Sequence, residues 1–549
     1  MEISLIFFYL SCKQKFPSLG RVKDVCGAIN KVNAHKLTKE GVMPVHEYFE
    51  SIKHDKAKLR QFLADMPKGA DLHNHLTGAA YAETLFNIAY RERLYVNMDT
   101  GKLVKTPNPH DPDAGKYIQL TAETFAPDAF GYKKHDFHFT RMSLIDKWSV
   151  RDFQPYKYPL GPDEYFFSLF GNFIAAAGQD FLPEIVHNLK VRAKEENLQY
   201  IETMGMNPTV PPSAFLSAEM YSDYSEFFKK SCVEFHMVKD GVLSGTLRVL
   251  LEKLKDIISF YDDCFNDTDS ELYQAVMAYV HGCESILAEK KDRVFATSKF
   301  DTTTVSHDDV EVRLLGYASR NKDPLNVFAQ LYIVHRAMSL RPNLILGCNI
   351  VAAENSENSM QYYKLHMLMF FVLKNWYHDN FDSYPNTTLH AGELTMGLIP
   401  PEQLTYHVTD ALLTAGAKRI GHGVDIAFEH NSASILDYMC RNEIPVEINL
   451  TSNEFILGVK DDSHPFKIYK DSGVPIVIST DDPGILRTSI TEEYALAVYR
   501  YGLTYDELVG IMRNSIAYSF LPPKDKENVR NKFERTLLDF EKKYANRCP

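Results

Sequence analysis

The chain has 549 residues, 45% hydrophobic and 24% charged, an ordinary composition for a globular protein. Its formal net charge of -12 argues against nucleic acid as the main partner, because phosphate recognition needs a basic surface. No apolar run approaches the ~20 residues of a membrane-spanning helix.

The chain opens on a short apolar run, Leu5 to Leu10, followed by Ser11-Cys12-Lys13. A small residue before a cysteine is the pattern of a lipoprotein cleavage site, yet the run is short and no Lys or Arg precedes it. Residues 1–12 are therefore an export segment or an ordinary N-terminus, and the balance favours a cytoplasmic protein over a secreted or periplasmic one. The cysteines Cys12, Cys26, Cys232, Cys264, Cys283, Cys348, Cys440 and Cys548 are scattered without any CxxC, as reduced, mostly buried thiols would be. Export would permit one disulfide among Cys232, Cys264 and Cys283.

Val45, Tyr48, Phe49, Ile52, Leu59 and Phe62 recur at helical spacing through Pro44 to Phe62, predicting a helical N-terminal arm within residues 1–65. Such an arm needs a surface to cover, either a second subunit in a homodimer or the body of its own chain. Met66 to Gly69 breaks the helix, and the main domain runs over 66–549. Its first strand, Asp71 to His75, carries His73 and His75 two residues apart, which places both imidazoles on one side. Residues 79–165 are irregular, with Pro and Asp clustered from Thr106 to Asp113, and read as an insertion of about 85–160. His135 and His138 belong to the packing of that insertion.

Beyond Tyr165 the pattern turns regular. Helices are expected at Phe166 to Gly178 and Leu182 to Glu195, over much of 214–293, at Pro324 to Leu340, at Met360 to Trp376, and over Thr491 to Tyr544. Further strands are expected at Gln199 to Thr203, Glu311 to Tyr317, Asn343 to Ile350, Thr388 to Gly392, Arg419 to Gly423, Ile444 to Leu450 and Val474 to Thr480. Eight strands alternating with helical connections predict a parallel α/β architecture closed as a (β/α)8 TIM barrel, with the helical arm before it and the insertion after strand one.

The polar residues gather at the strand ends. His73 and His75 end strand one, and Glu202 lies in strand two. His390 ends strand five ahead of Glu393, and His422 ends strand six. Thr451-Ser452-Asn453 follows strand seven, and Asp481-Asp482 ends strand eight. Each is weak alone: Asp-Asp-Pro-Gly, for instance, is a common turn. Together they sit on the face of a barrel where active sites are built. His73, His75, His390 and Asp481 supply three nitrogens and one oxygen, a donor set suited to one Zn2+ per subunit, which lowers the pKa of a coordinated water toward ~7. Glu393 is placed to move a proton, and His422 and Asp482 to orient the attacking oxygen or the substrate. A lysine near the end of strand four would point to two metals; Cys348 to Asn355 contains none.

The stretches MPKGADLHNHLTG, LHAGE, RIGHGV, TSNEFILGV and STDDPGI, with Arg513 to Phe520, resemble the adenosine deaminase family of the amidohydrolase superfamily, and the long N-terminal arm resembles its adenosine-deaminase-related growth factor subgroup. The resemblance implies deamination of adenosine and 2′-deoxyadenosine, with His73, His75, His390 and Asp481 binding zinc. It further implies that Glu393 protonates purine N1 as hydroxide attacks C6, that His422 positions and helps deprotonate the water, and that Asp482 hydrogen-bonds N7. Two departures touch substrate binding. Thr77 stands where the family has a ribose-binding aspartate, and Ala352 or Ala353 where it has a glycine close to the purine. Residues 79–165 lack the cysteines of the subgroup's inserted domain. The alternatives are deamination of another 6-aminopurine (base, nucleotide or modified nucleoside) and a growth-factor-like binding protein on the same fold.

Overall fold

The computed structural model describes residues 44–129, 131–235, 245–288 and 310–545. The segment 1–12 lies outside them. Eight strands form the centre: β1 (Ala70–His75), β5 (Tyr200–Met204), β6 (Glu311–Ser319), β7 (Ile345–Val351), β8 (Thr388–Ala391), β9 (Arg419–His422), β10 (Val446–Ile448) and β11 (Ile476–Ile478). The intervening β2 (Tyr95–Asn97), β3 (Leu103–Val104) and β4 (Tyr117–Gln119) form a separate antiparallel sheet in the expected insertion.

The barrel strands pair in two parallel arcs, β1-β5-β6-β7 and β8-β9-β10-β11. Single bridges join the arcs, Cys348 with Thr387 and Asn74 with Asp481. At the second seam His75 N–H donates to Asp481 O and Asp481 N–H to His73 O, each across 2.9 Å. The ring of eight parallel strands is thereby closed, so the chain is a (β/α)8 barrel. The two histidines of β1 and the aspartate after β11 meet where it closes.

The helix Pro324–Leu340 begins and ends as its sequence predicts. The Asp323 side chain accepts the Leu325 N–H, and proline opens the first turn. Val327, Phe328, Leu331, Val334 and Met338 are all buried, because the helix lies between β6 and β7 and the neighbouring helices Glu271–Leu287 and Glu357–Phe381.

Several expectations need correction. The stretch Pro44 to Phe62 is two helices, Val45–Ile52 and Lys56–Asp65; Asp55 takes the N–H groups of Ala57 and Lys58 and restarts the helix. The helix expected at Phe166 to Gly178 is Pro162–Phe173. Thr451-Ser452-Asn453 belongs to the helix Leu450–Leu457, and the Asp-Asp-Pro-Gly turn opens a short helix, Pro483–Leu486. Cys264 and Cys283 are free thiols, so no disulfide joins them; the Cys232 side chain lies outside the described residues. The described part of the arm covers its own chain: the Phe62 ring packs on Phe540 and Tyr544 of the C-terminal helix Pro523–Ala545.

Candidate active site

Four donor atoms converge at the closing seam. His390 Nε2 lies 3.1 Å from His73 Nε2 and 3.2 Å from His75 Nε2. Asp481 Oδ1 lies 3.5 Å from His73 Nε2 and 3.2 Å from His75 Nε2. A tetrahedral cation with bonds of 2.0–2.1 Å holds its ligands about 3.3–3.4 Å apart. The donor set therefore fits such an ion by both chemistry and spacing. His422 completes the floor, its ring 4.8 Å from that of His73 and 5.1 Å from that of His390. Its Nε2 is buried without a hydrogen-bond partner among the described residues.

The shell behind these rings orients them. His73 Nδ1 donates to Glu447 Oε2 across 2.7 Å. Glu447 Oε1 takes the Thr388 hydroxyl at 2.9 Å and Arg419 Nε at 2.5 Å. Arg419 also pairs with Glu202 at 2.8 Å, and its guanidinium lies 3.7 Å over the Phe520 ring. Burial alone would raise the Glu447 carboxyl, but Arg419 and His73 hold it at about 2. Glu202 thus anchors Arg419 beneath the cluster and does not reach the cluster itself. His390 Nδ1 lies 3.0 Å from Asn349 Oδ1, an oxygen that also accepts the Ile350 N–H at 2.7 Å. Both His73 and His390 therefore carry their proton on Nδ1 and turn an Nε2 lone pair inward.

A second buried shell supports Glu393. Glu354 accepts the N–H groups of Gly392 and Glu393, at 3.2 and 2.8 Å, and the His407 Nδ1–H at 2.6 Å. Arg320 faces the same carboxylate at 3.5 Å and donates to His390 O at 2.5 Å. Despite burial, Arg320 and His407 hold Glu354 at about 2. Burial and the charges of Asp481 and Glu354 push the Glu393 carboxyl well above the usual range. Asp482 is raised in the same way, by burial and by Asp481.

Three strand ends carry non-glycine residues in the left-handed region: Ala352 at φ 80°, His422 at 67° and Asp481 at 61°. Asn, Asp and His tolerate this better than Ala, so Ala352 rather than Ala353 holds the position that favours glycine. Thr77, Ala352 and Ala353 are half-buried beyond the ends of β1 and β7. His135 and His138 lie at the start of the helix Phe137–Lys147, outside the cluster.

The sequence reading missed Glu447, Glu354, Arg320 and Asn349. One signal was available for Glu447, a charged residue in the middle of a strand otherwise apolar enough to be buried.

Residues 294–536 match the family model described as adenosine deaminase. That stretch is less than half of the chain. Among curated relatives, the chain is similar to an N6-methyl-AMP deaminase of Danio rerio, 36% identical over 24% of this chain and 37% of the relative. An adenosine deaminase of Aliivibrio fischeri is 33% identical over 27% of this chain and 42% of its own length. An aminodeoxyfutalosine deaminase of Streptomyces coelicolor is 33% identical over 26% and 35%. The matches thus span well under half the length of these relatives.

Proposed function

We propose that the chain is a zinc-dependent deaminase that converts adenosine and 2′-deoxyadenosine to inosine and 2′-deoxyinosine. The observation that carries this reading is the convergence of His73, His75, His390 and Asp481 at spacings that suit one tetrahedral ion, with Asp482 and His422 against the same donors and Glu393 beside His422. Those four residues would hold one zinc per subunit. When bound, zinc supplies the Lewis acidity that makes water a nucleophile at neutral pH.

The remaining steps belong to side chains. Asp482, protonated, donates to purine N7 and fixes the ring. Glu393 delivers a proton to N1 while the water oxygen adds to C6, and His422 faces that oxygen. The C6–amino bond then breaks: of the water's two protons, one leaves with the amino group as ammonia and the other restores the Glu393 carboxyl, and C6 keeps the oxygen as a carbonyl. The buried Glu354 holds the backbone that carries Glu393, which keeps the acid in place without reorganisation.

A second reading keeps this chemistry and changes the substrate to a 6-aminopurine nucleotide or a modified nucleoside. Thr77, neutral where the family has an aspartate, favours it, and one relative is named for N6-methyl-AMP. Purified, zinc-loaded protein is incubated with adenosine, 2′-deoxyadenosine, AMP and N6-methyl-AMP, and ammonia or methylamine release is followed. The first reading expects the nucleosides to be turned over fastest. Faster turnover of the nucleotides would reverse the order, and no turnover by metal-loaded protein would overturn both.

A further inference from the structure

The bonds behind His422 differ in kind from those behind His73 and His390, and they start at a backbone amide. Phe466 N–H donates to His464 Nδ1 across 3.1 Å. A backbone N–H can only donate, so His464 Nδ1 bears a lone pair and the ring proton lies on Nε2. That Nε2–H faces Asn453 Oδ1 at 3.1 Å. An Asn453 amide oriented by this bond turns its Nδ2–H toward His422 Nδ1, 3.0 Å away. Asn449 Nδ2 faces the same nitrogen at 3.4 Å, and Glu393 Oε1 stands 3.6 Å off, beyond hydrogen-bonding distance. Every member of the relay is buried. His422 Nδ1 is thus an acceptor, and the proton of the neutral ring sits on Nε2, the atom buried in the cluster without a partner among the described residues.

We infer that Asn453 and His464 are positioning residues that lock His422 as its Nε2–H tautomer, so that His422 meets the attacking oxygen as a hydrogen-bond donor and serves neither as a metal ligand nor as the base. The three rings of one cluster are sorted by what lies behind them. A carboxylate behind His73 and an amide oxygen behind His390 free two lone pairs, whereas an amide N–H behind His422 leaves a donor. His422 and Asn453 lie on separate elements, β9 and the helix Leu450–Leu457, and His464 in the loop that follows, so the tautomer is a property of the assembled barrel. Only the meeting with an attacking oxygen rests on the proposed deaminase reading; the tautomer does not.

The experiment is ring-15N NMR of the full chain labelled at histidine, with the His422 resonances identified by their loss in His422→Gln. The wild-type protein, with and without zinc, is expected to show the His422 proton on Nε2. Asn453→Asp places an acceptor-only carboxylate behind the ring and is expected to put a proton on Nδ1. It is also expected to lower kcat at least ~100-fold with KM and bound zinc nearly unchanged, in keeping with the cost of holding a catalytic histidine in the wrong tautomer. A wild-type His422 protonated on Nδ1 alone, or an Asn453→Asp protein that leaves Nδ1 bare, would overturn the inference. The wild-type spectrum decides the matter even if the variant does not fold. The resonances decide it even if no purine is deaminated, so the two readings fail separately.

Discussion

His73 Nδ1 and Glu447 Oε2 lie 2.7 Å apart with both side chains fully buried. A carboxylate behind a metal-binding imidazole sets its orientation and raises its basicity, and losing it typically costs 10–100-fold in metal affinity. Glu447→Gln keeps an acceptor for Nδ1 and removes the charge. Zinc affinity measured by chelator competition is expected to fall about 10-fold or more. An unchanged affinity would mean that Glu447 serves only as a partner for Arg419.

Gly78 lies directly beneath Asp482. A methyl group there would meet Asp482 Oδ1 at 1.5 Å and Cγ at 2.4 Å, so Gly78→Ala must displace that carboxyl. A displacement of about 1 Å in a positioned group costs on the order of 100-fold in rate. Steady-state kinetics of Gly78→Ala should show that loss in kcat/KM with zinc retained. Wild-type kinetics in the folded variant would argue against any substrate contact by Asp482.

Ala352 sits at φ 80°, a conformation that strains a residue bearing a Cβ. Relief of such strain is worth about 1 kcal/mol or more. Ala352→Gly is therefore expected to raise the thermal unfolding midpoint, as read by calorimetry. A lower midpoint would show that the neighbouring packing needs the methyl group.

His335 and His366 are buried on the helices Pro324–Leu340 and Glu357–Phe381. Burial lowers them from 6.5 to about 4 and about 3. Between these values and 6.5 the unfolded chain binds protons that the folded chain refuses. Stability is therefore complete above pH 6.5 and falls as the pH drops toward 4, by up to ~1.4 kcal/mol per pH unit for each histidine. Unfolding midpoints measured at pH 7.5, 6 and 5 should decline in that order, and His335→Gln should flatten the decline. A profile that His335→Gln leaves unaltered would show that other groups govern acid unfolding.

All eight barrel strands were legible from apolar runs punctuated by Gly, Pro and Asp, and Pro324–Leu340 was legible at both ends because its capping residues are local. Strand limits were less so. Ile444 to Leu450 reads as one apolar run, yet only Val446–Ile448 is strand, because pairing with β9 and β11 decides its length. The break at Asp55 went unread because apolar spacing continues across it. His73, His75, His390, Glu393, His422, Asp481 and Asp482 were legible as motifs at strand ends. Glu354 and Glu202 were not legible as support, because burying a carboxylate is explained only by its partner, and their arginines, Arg320 and Arg419, lie on other strands or loops.

The sequence by itself determined the chemical types of the donors, their order along the chain and the periodicity that makes alternating strands and helices. Each of these is carried by neighbouring residues. It left open whether Ala352 or Ala353 takes the glycine position, and the backbone angle at Ala352 decides it. It also left open where the ring protons of His73, His390 and His422 lie. A proton's place depends on the hydrogen-bond partner behind each ring, and Glu447, Asn349 and Asn453 come from other elements of the barrel. Only closure of the barrel buries these rings and brings a partner from another element behind each Nδ1, which turns chemically identical imidazoles into two lone-pair donors and one N–H donor.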